Sequence, residues 1–87
     1  MNLLIEKIIR KMFEENWSGE STLKSIDTMK KQLHKNLNDQ LNGYWSGHTA
    51  YYIMTKGGFL IDGKSSTNKQ LTPLGEVFIE QYNEEKQ

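Results

Sequence analysis

Apolar residues recur every three to four positions in three parts of the chain, a pattern typical of helices that pack one face into a core. These parts are residues 2–16, 21–37 and 72–84. Asn2 and Thr72 are candidate N-caps, because their side chains can accept hydrogen bonds from the first turn of a helix. The pattern therefore predicts three helices with these approximate bounds.

A further helix is predicted over residues 45–56. Ala50, Ile53 and Met54 fall on one face of this segment and form its expected packing side. The pair of glycines that follows can end the helix, since glycine readily adopts positive φ. The tyrosines and β-branched residues in the same segment also favour a sheet, so a strand over residues 48–55 is the alternative.

Residues 59–71, which join the last two predicted helices, have the pattern of a β-hairpin. The apolar run Phe59-Leu60-Ile61 is followed by a polar stretch and then by a short return to Leu71. The predicted fold is mainly α with a small β-hairpin wing, a winged helix-turn-helix in a single domain of residues 1–87.

The second half of the chain resembles small bacterial and phage winged-helix proteins, with transcription regulators of the PadR and MarR kinds as examples. In that pattern a helix ends in glycine, an apolar strand and a polar wing follow, and LT-x-x-G begins the last helix. The matching residues here are Phe59, Leu60, Leu71, Thr72, Gly75 and Phe78. The resemblance implies DNA binding, in transcription regulation or as a replication accessory of a phage or mobile element.

The resemblance also implies a DNA-contacting surface. The helix before the wing becomes the recognition helix, and the wing approaches phosphates or the minor groove. Candidate contacts on the recognition helix are Trp45, His48, Thr49, Tyr52 and Lys56. Candidate contacts on the wing are Lys64, Ser65, Ser66, Asn68 and Lys69, with Thr67 beside them.

The charge distribution is compatible with a phosphate-facing side, although the chain has 11 basic and 11 acidic residues and no net charge. Seven lysines lie between Ser21 and Leu71, against three aspartates. Those in the second predicted helix are further candidate phosphate contacts: Lys24, Lys30, Lys31 and Lys35. No arginine follows Arg10, and arginine is the side chain that most often reads guanine.

The partner is therefore left open between two classes. The first is DNA, either duplex or single-stranded, since exposed aromatic rings near lysines can stack on unpaired bases. The second is a protein partner, bound through the aromatic helix face or reached by dimerisation. Neutral net charge and an aromatic helix face are compatible with the second class.

Other functions find little support in the residues. The chain has no cysteine, and its two histidines, His34 and His48, are too few for a metal site. No acid–base or nucleophile motif predicts an enzyme, and no cofactor is expected. The longest apolar run, Leu3-Leu4-Ile5, is far too short to span a membrane, so a cytoplasmic location is expected.

Overall fold

Four helices are present within residues 1–17, 25–62 and 70–86, the part of the chain described by the computed structural model. They are α1 (Leu3–Asn16), α2 (Ile26–Leu41), α3 (His48–Lys56) and α4 (Pro73–Glu85). α2 contacts each of the other three helices, and α1 also contacts α3. This arrangement makes α2 the centre of the packing and leaves α3 with one side turned outward.

The caps predicted for the first and last helices are confirmed. The side-chain oxygen of Asn2 accepts hydrogen bonds from the backbone N–H groups of Leu4 at 2.7 Å and Ile5 at 3.4 Å. The Thr72 hydroxyl accepts one from Gly75 at 3.0 Å. Each bond satisfies a donor that the start of a helix would otherwise leave unpaired.

α2 continues to Leu41, past the predicted end at Leu37. Asn36 and Asn38 stay helical, and Asn38 donates a side-chain hydrogen bond of 2.9 Å to the His34 carbonyl four residues earlier. Asn42 caps the end of the helix in a turn and donates to the Asn38 carbonyl, also at 2.9 Å. Gln40 is buried in the same stretch, so tertiary burial outweighs the low helix propensity of these residues.

The core contains apolar side chains from all four helices and from the segment after α3. Leu4 and Val77 belong to the apolar pattern that predicts the first and last helices, but both are exposed, because the buried stripes of α1 and α4 are narrower than that pattern. The buried apolar residues are Ile5, Ile9, Phe13, Met29, Leu33, Leu37, Ala50, Ile53, Met54, Phe59, Leu60, Phe78 and Tyr82.

The predicted β-hairpin wing, and with it the winged helix-turn-helix fold class, is wrong. Within the described residues there is no strand, and Leu60 and Leu71 form only an isolated antiparallel bridge. The reason lies in the backbone donors: the N–H groups of Phe59 and Leu60 both point to the Met54 carbonyl, at 2.9 and 3.0 Å. They close the end of α3 and are not available for a ladder. The mainly α part of the prediction agrees with the structure.

The alternative strand over residues 48–55 is also wrong, because these residues form most of α3. The predicted packing face is buried, with Ala50, Ile53 and Met54 all below 3% exposed. Burial of that stripe against α1 and α2 outweighs the sheet preference of the tyrosines and isoleucine.

Several predicted features lie outside the described residues. These are the start of the second predicted helix, residues 21–24, and the polar part of the predicted wing, residues 63–69. The candidate contacts among them are Lys24, Lys64, Ser65, Ser66, Thr67, Asn68 and Lys69.

A buried lysine joins three helices. Lys30 on α2 is only 5% exposed, and its ammonium binds Glu6 of α1 at 2.8 Å and Glu85 of α4 at 3.1 Å. Burial by itself lowers the pKa of Lys30, but the hydrogen bonds and charges of the two glutamates outweigh it and raise the pKa above its ordinary value. The N-terminal ammonium and then Lys30 hold the pKa of Glu85 below its ordinary value.

We expect this ion cluster to give stability a defined pH window. The depressed pKa of Glu85 contributes stability above 4.5, its ordinary value, and that contribution is lost as pH falls through the folded-state pKa. The raised pKa of Lys30 contributes stability below 10.5, and that contribution is lost as pH rises through the folded-state pKa. Thermal unfolding of the wild type and of Lys30→Met, at pH values within these limits and beyond both of them, measures the effect.

Between these limits Lys30→Met should unfold at a lower temperature than the wild type, and the difference should shrink as pH falls below 4.5 or rises above 10.5. The matched control is Lys31→Met, which removes the neighbouring exposed lysine and should have little effect at any pH. A difference between wild type and Lys30→Met that does not vary with pH would contradict the ionic origin.

One buried amide in α2 lacks a partner. Gln40 is 4% exposed, and its Nε2 makes no hydrogen bond to the described residues. An unpaired buried amide costs about 1–3 kcal/mol. We therefore expect Gln40→Met, which keeps the side-chain length, to raise the free energy of unfolding by about 1 kcal/mol in urea denaturation.

The matched control for Gln40→Met is the same substitution at Gln32, about two helical turns earlier in α2. There the amide donates to Asn36 Oδ1 at 2.9 Å, so Gln32→Met should lower stability by removing a made bond. If both substitutions destabilise to the same degree, the Gln40 amide is paired in solution and the prediction is wrong.

Candidate nucleic-acid interface

The segment that leads into α3 is held against the end of α2. The backbone N–H of Tyr44 donates to the Asp39 carbonyl at 2.8 Å, and the Ser46 hydroxyl donates to the Asn36 carbonyl at 3.3 Å. Gly47 then turns the chain into the helix with φ of 94°, a conformation that side chains with a Cβ rarely adopt. These contacts fix where the first residues of α3 lie.

An aromatic surface, defined here as Tyr44, Trp45, His48, Tyr51 and Tyr52, lies on the outer side of this segment. Tyr44 is 68% exposed, Trp45 58% and Tyr52 47%. The apolar body of a tyrosine or tryptophan ring is usually buried, and only its hydroxyl or indole N–H needs water or another polar partner. Their exposure together marks a surface suited to binding.

Trp45 is both exposed and supported. Its indole packs edge-on against His48, with ring centres 5.3 Å apart and planes at 76°, and tilted against Tyr51, also at 5.3 Å. Aromatic pairs at such distances are favourable by about 0.5–1.5 kcal/mol beyond area burial. The two neighbours restrict the orientation of the indole while more than half of its surface stays in solvent.

The aromatic surface is tied to the segment after α3. The Tyr51 hydroxyl donates a hydrogen bond of 2.8 Å to the Asp62 carboxylate. Asp62 directly precedes residues 63–69, so this bond holds the last described residue before that stretch.

The outer side of α3 has a regular row of polar side chains. His48, Tyr52 and Lys56 are spaced four residues apart, and all three are exposed. Side chains at this spacing lie on one face of a helix. The predicted contact residues of α3 are thus brought together, with Thr49 half-buried beside them.

The lysines predicted from α2 have different surroundings. Lys30 is buried between two glutamates, so its ammonium is not available to a phosphate. Lys35 is exposed and pairs with Asp39 at 2.9 Å, and Lys31 is exposed. The structure buries the two neighbours Met29 and Lys30 together on α2.

One signal in the sequence was missed. Residues 40–61, which include the whole aromatic surface, contain no aspartate or glutamate. Four glutamates lie instead in or beside α4: Glu76, Glu80, Glu84 and Glu85. A stretch that has no acidic residue and contains Lys56, at the end of α3, is more compatible with an anionic ligand than the zero net charge of the chain suggests.

In the part of the chain that the structure describes, no three histidine or carboxylate side chains come together in a way that can hold a metal ion. Within the same residues, no helix has the length and apolar character needed to cross a membrane.

Comparison with known proteins gives no further assignment. No protein-family model, curated protein or solved structure matches the chain. What the chain binds must therefore be argued from its own residues.

Proposed function

We propose that the chain binds nucleic acid through the aromatic surface and the exposed row of α3. The observation that carries the proposal is the state of Trp45, which is 58% exposed and yet held between His48 and Tyr51. A supported, exposed ring offers a π-face to a base without having to become ordered on binding.

Charge supports the same ligand. Residues 40–61 contain no acidic side chain, and Lys56 ends the exposed row of α3. Lys64 and Lys69 follow in the polar stretch that starts after Asp62, which Tyr51 holds beside the surface. These cations are suited to phosphate contacts, which supply affinity without reading sequence.

The contacts divide into two kinds by chemistry. Tyr44, Trp45 and Tyr52 supply stacking surfaces, each worth about 1–3 kcal/mol per base. His48, Thr49 and the hydroxyl and amide side chains of residues 65–68 supply hydrogen bonds to phosphate, sugar or base edges. We expect stacking to supply more of the affinity than phosphate contacts, because three rings are exposed and Lys56 is the single lysine of α3.

Tryptophan fluorescence tests the proposal directly. Trp17 packs on Phe13 with ring centres 5.5 Å apart, so Trp17→Phe preserves an aromatic contact and leaves Trp45 as the only indole. Titration with mixed-sequence DNA at low salt, in separate single-stranded and duplex arms, should quench the Trp45 emission to saturation.

The variant that completes this test is Trp45→Ala, read by anisotropy of a labelled oligonucleotide. Loss of one stacked base should weaken binding about 5- to 150-fold. Leu4→Ala, which removes an exposed apolar side chain from α1, is the matched control and should bind like the wild type. The proposal fails if neither form of DNA binds at low salt.

A protein partner is the second candidate, and the exposed apolar residues that flank the aromatic surface in the sequence favour it. Leu41 is 42% exposed and Ile61 47%. Exposed apolar side chains next to aromatic rings are typical of protein interfaces. Light scattering distinguishes the simplest case: a dimer that Trp45→Ala converts to monomer would support a second copy of the chain as the ligand.

A further inference from the structure

We infer that the nucleic acid bound by the aromatic surface is single-stranded, and that an unpaired base stacks on the exposed part of Trp45. This inference rests on the proposed function and specifies its ligand. It follows from the kind of side chain that is exposed, from the composition of α3 and from the positions of the charges.

Exposed rings are of little use against an intact duplex. In a duplex both faces of each base are covered by neighbouring bases, so an indole gains stacking only when a base is unpaired. Trp45 and Tyr44 are adjacent in the chain and are the two most exposed aromatic residues, at 58% and 68%. The two most exposed rings of the aromatic surface are therefore suited to stacking on the unpaired bases of a single strand.

α3 has few of the side chains that make two hydrogen bonds to one base edge in the major groove. Its sequence, residues 48–56, contains no arginine, asparagine or glutamine and a single lysine, Lys56. Its exposed row consists of an imidazole, a phenol ring and one ammonium, at His48, Tyr52 and Lys56. At 1.5 Å per residue this row is about 12 Å long. It begins three residues after Trp45 in the sequence and ends at the ammonium of Lys56.

Two of the four lysines that the structure describes on α2 and α3 are engaged in ion pairs. Duplex DNA carries about one charge per 1.7 Å, and its binding proteins neutralise many phosphates. Lys30 is withdrawn into the ion cluster with Glu6 and Glu85, and Lys35 is paired with Asp39. A ligand held chiefly by stacking, with few phosphate contacts, matches this distribution.

The experiment compares two ligands on the Trp17→Phe protein. The probes are an oligothymidylate of about 12 nucleotides, within the usual site size of single-strand binders, and the same strand paired with oligodeoxyadenylate. We expect the single strand to bind at least about tenfold more tightly and to quench Trp45 further. Its affinity should fall weakly with salt, with a log–log slope between about −1 and −2.

Two variants separate stacking from charge. Trp45→Ala should weaken binding of the single strand about 5- to 150-fold at every salt concentration. Lys56→Gln should weaken it mainly at low salt and make the salt slope shallower by about 0.7. Both positions are exposed, and a single cooperative thermal unfolding transition of each variant, well above the assay temperature, shows that the fold is intact.

The outcomes distinguish the inference from the proposed function. Duplex binding as tight as single-strand binding, or single-strand binding unaffected by Trp45→Ala, overturns the inference and leaves nucleic-acid binding in place. Absence of binding to both probes overturns both. Preference for the single strand together with loss in Trp45→Ala supports both.

Discussion

Gly75→Ala is expected to destabilise the fold by about 3 kcal/mol or more, although the same change in an ordinary helix stabilises by about 1 kcal/mol. A Cβ at position 75 would overlap the backbone carbonyl oxygen of Phe59 and lie 3.1 Å from its carbonyl carbon and 3.2 Å from Leu71 Cδ2. A backbone carbonyl cannot rotate away as a side chain can. The close approach of α4 to the segment after α3 would have to widen.

The sign of the effect makes this test decisive. Urea denaturation of Gly75→Ala should show a lower midpoint with a similar slope. Glu76→Ala, at the next position of α4, is exposed and should change stability by no more than about 0.5 kcal/mol. A Gly75→Ala protein as stable as the wild type would mean that α4 does not approach Phe59 so closely in solution.

Phe78→Ala should have an effect of similar size for a different reason. Phe78 is fully buried in α4, and its ring packs on Phe59 at 5.8 Å and Tyr82 at 5.9 Å between centres. Removing a buried phenyl group costs about 3–5 kcal/mol, since the surroundings fill the cavity only in part. A domain of this size is stable by about 4–13 kcal/mol, so the loss is a large share of the total.

Calorimetry measures the Phe78 effect as a fall in Tm of about 4–8 °C for each kcal/mol. Phe78→Leu keeps most of the side-chain volume and should lower stability less than half as much as Phe78→Ala. It also allows the effect to be measured if the alanine variant does not fold. Val77→Ala, at the exposed neighbouring position, is the control. Equal effects at positions 77 and 78 would show that α4 packs by a different face.

The helices at the two ends of the chain were predictable because their signals are local. Asn2 and Thr72 act as N-caps through hydrogen bonds to residues two to three positions ahead, and a sequence shows such pairs directly. The end of α2 was not predictable in the same way. Its asparagines are turn formers by propensity, and only the tertiary burial of Gln40 and Leu37 keeps them helical.

The predicted wing was wrong because a run of consecutive apolar residues is compatible both with a strand and with a buried segment that closes the end of a helix. Phe59 and Leu60 are both buried, at 0% and 2% exposed, whereas a strand with one solvated face would expose one of them. Their N–H groups go to the Met54 carbonyl, so the run closes a helix. Periodicity alone does not separate this arrangement from a strand.

The sequence predicts which residue types form the candidate site, but it does not predict which of their charged groups are free to bind a ligand. The sequence identifies His48, Tyr52 and Lys56 as one helix face, since their spacing is local, whereas Trp45 was predicted in the same helix and lies before its first residue. It does not show that Lys30 is occupied, because Glu6 and Glu85 lie 24 and 55 residues away along the chain. Long-range ion pairs of this kind require the packed helices to be known.

The segment on either side of residues 63–69 is anchored independently of that stretch. The Ile61 N–H donates to the Gln70 carbonyl at 2.9 Å, the Thr72 N–H donates to the Phe59 carbonyl at 3.1 Å, and the Thr72 hydroxyl donates to the Gly58 carbonyl. Closing a longer connection between fixed ends costs only about 0.6 kcal/mol per doubling of length. The chain thus provides a graft point between Asp62 and Gln70, where insertions or exchanged sequences should leave the contacts of the helical core unchanged.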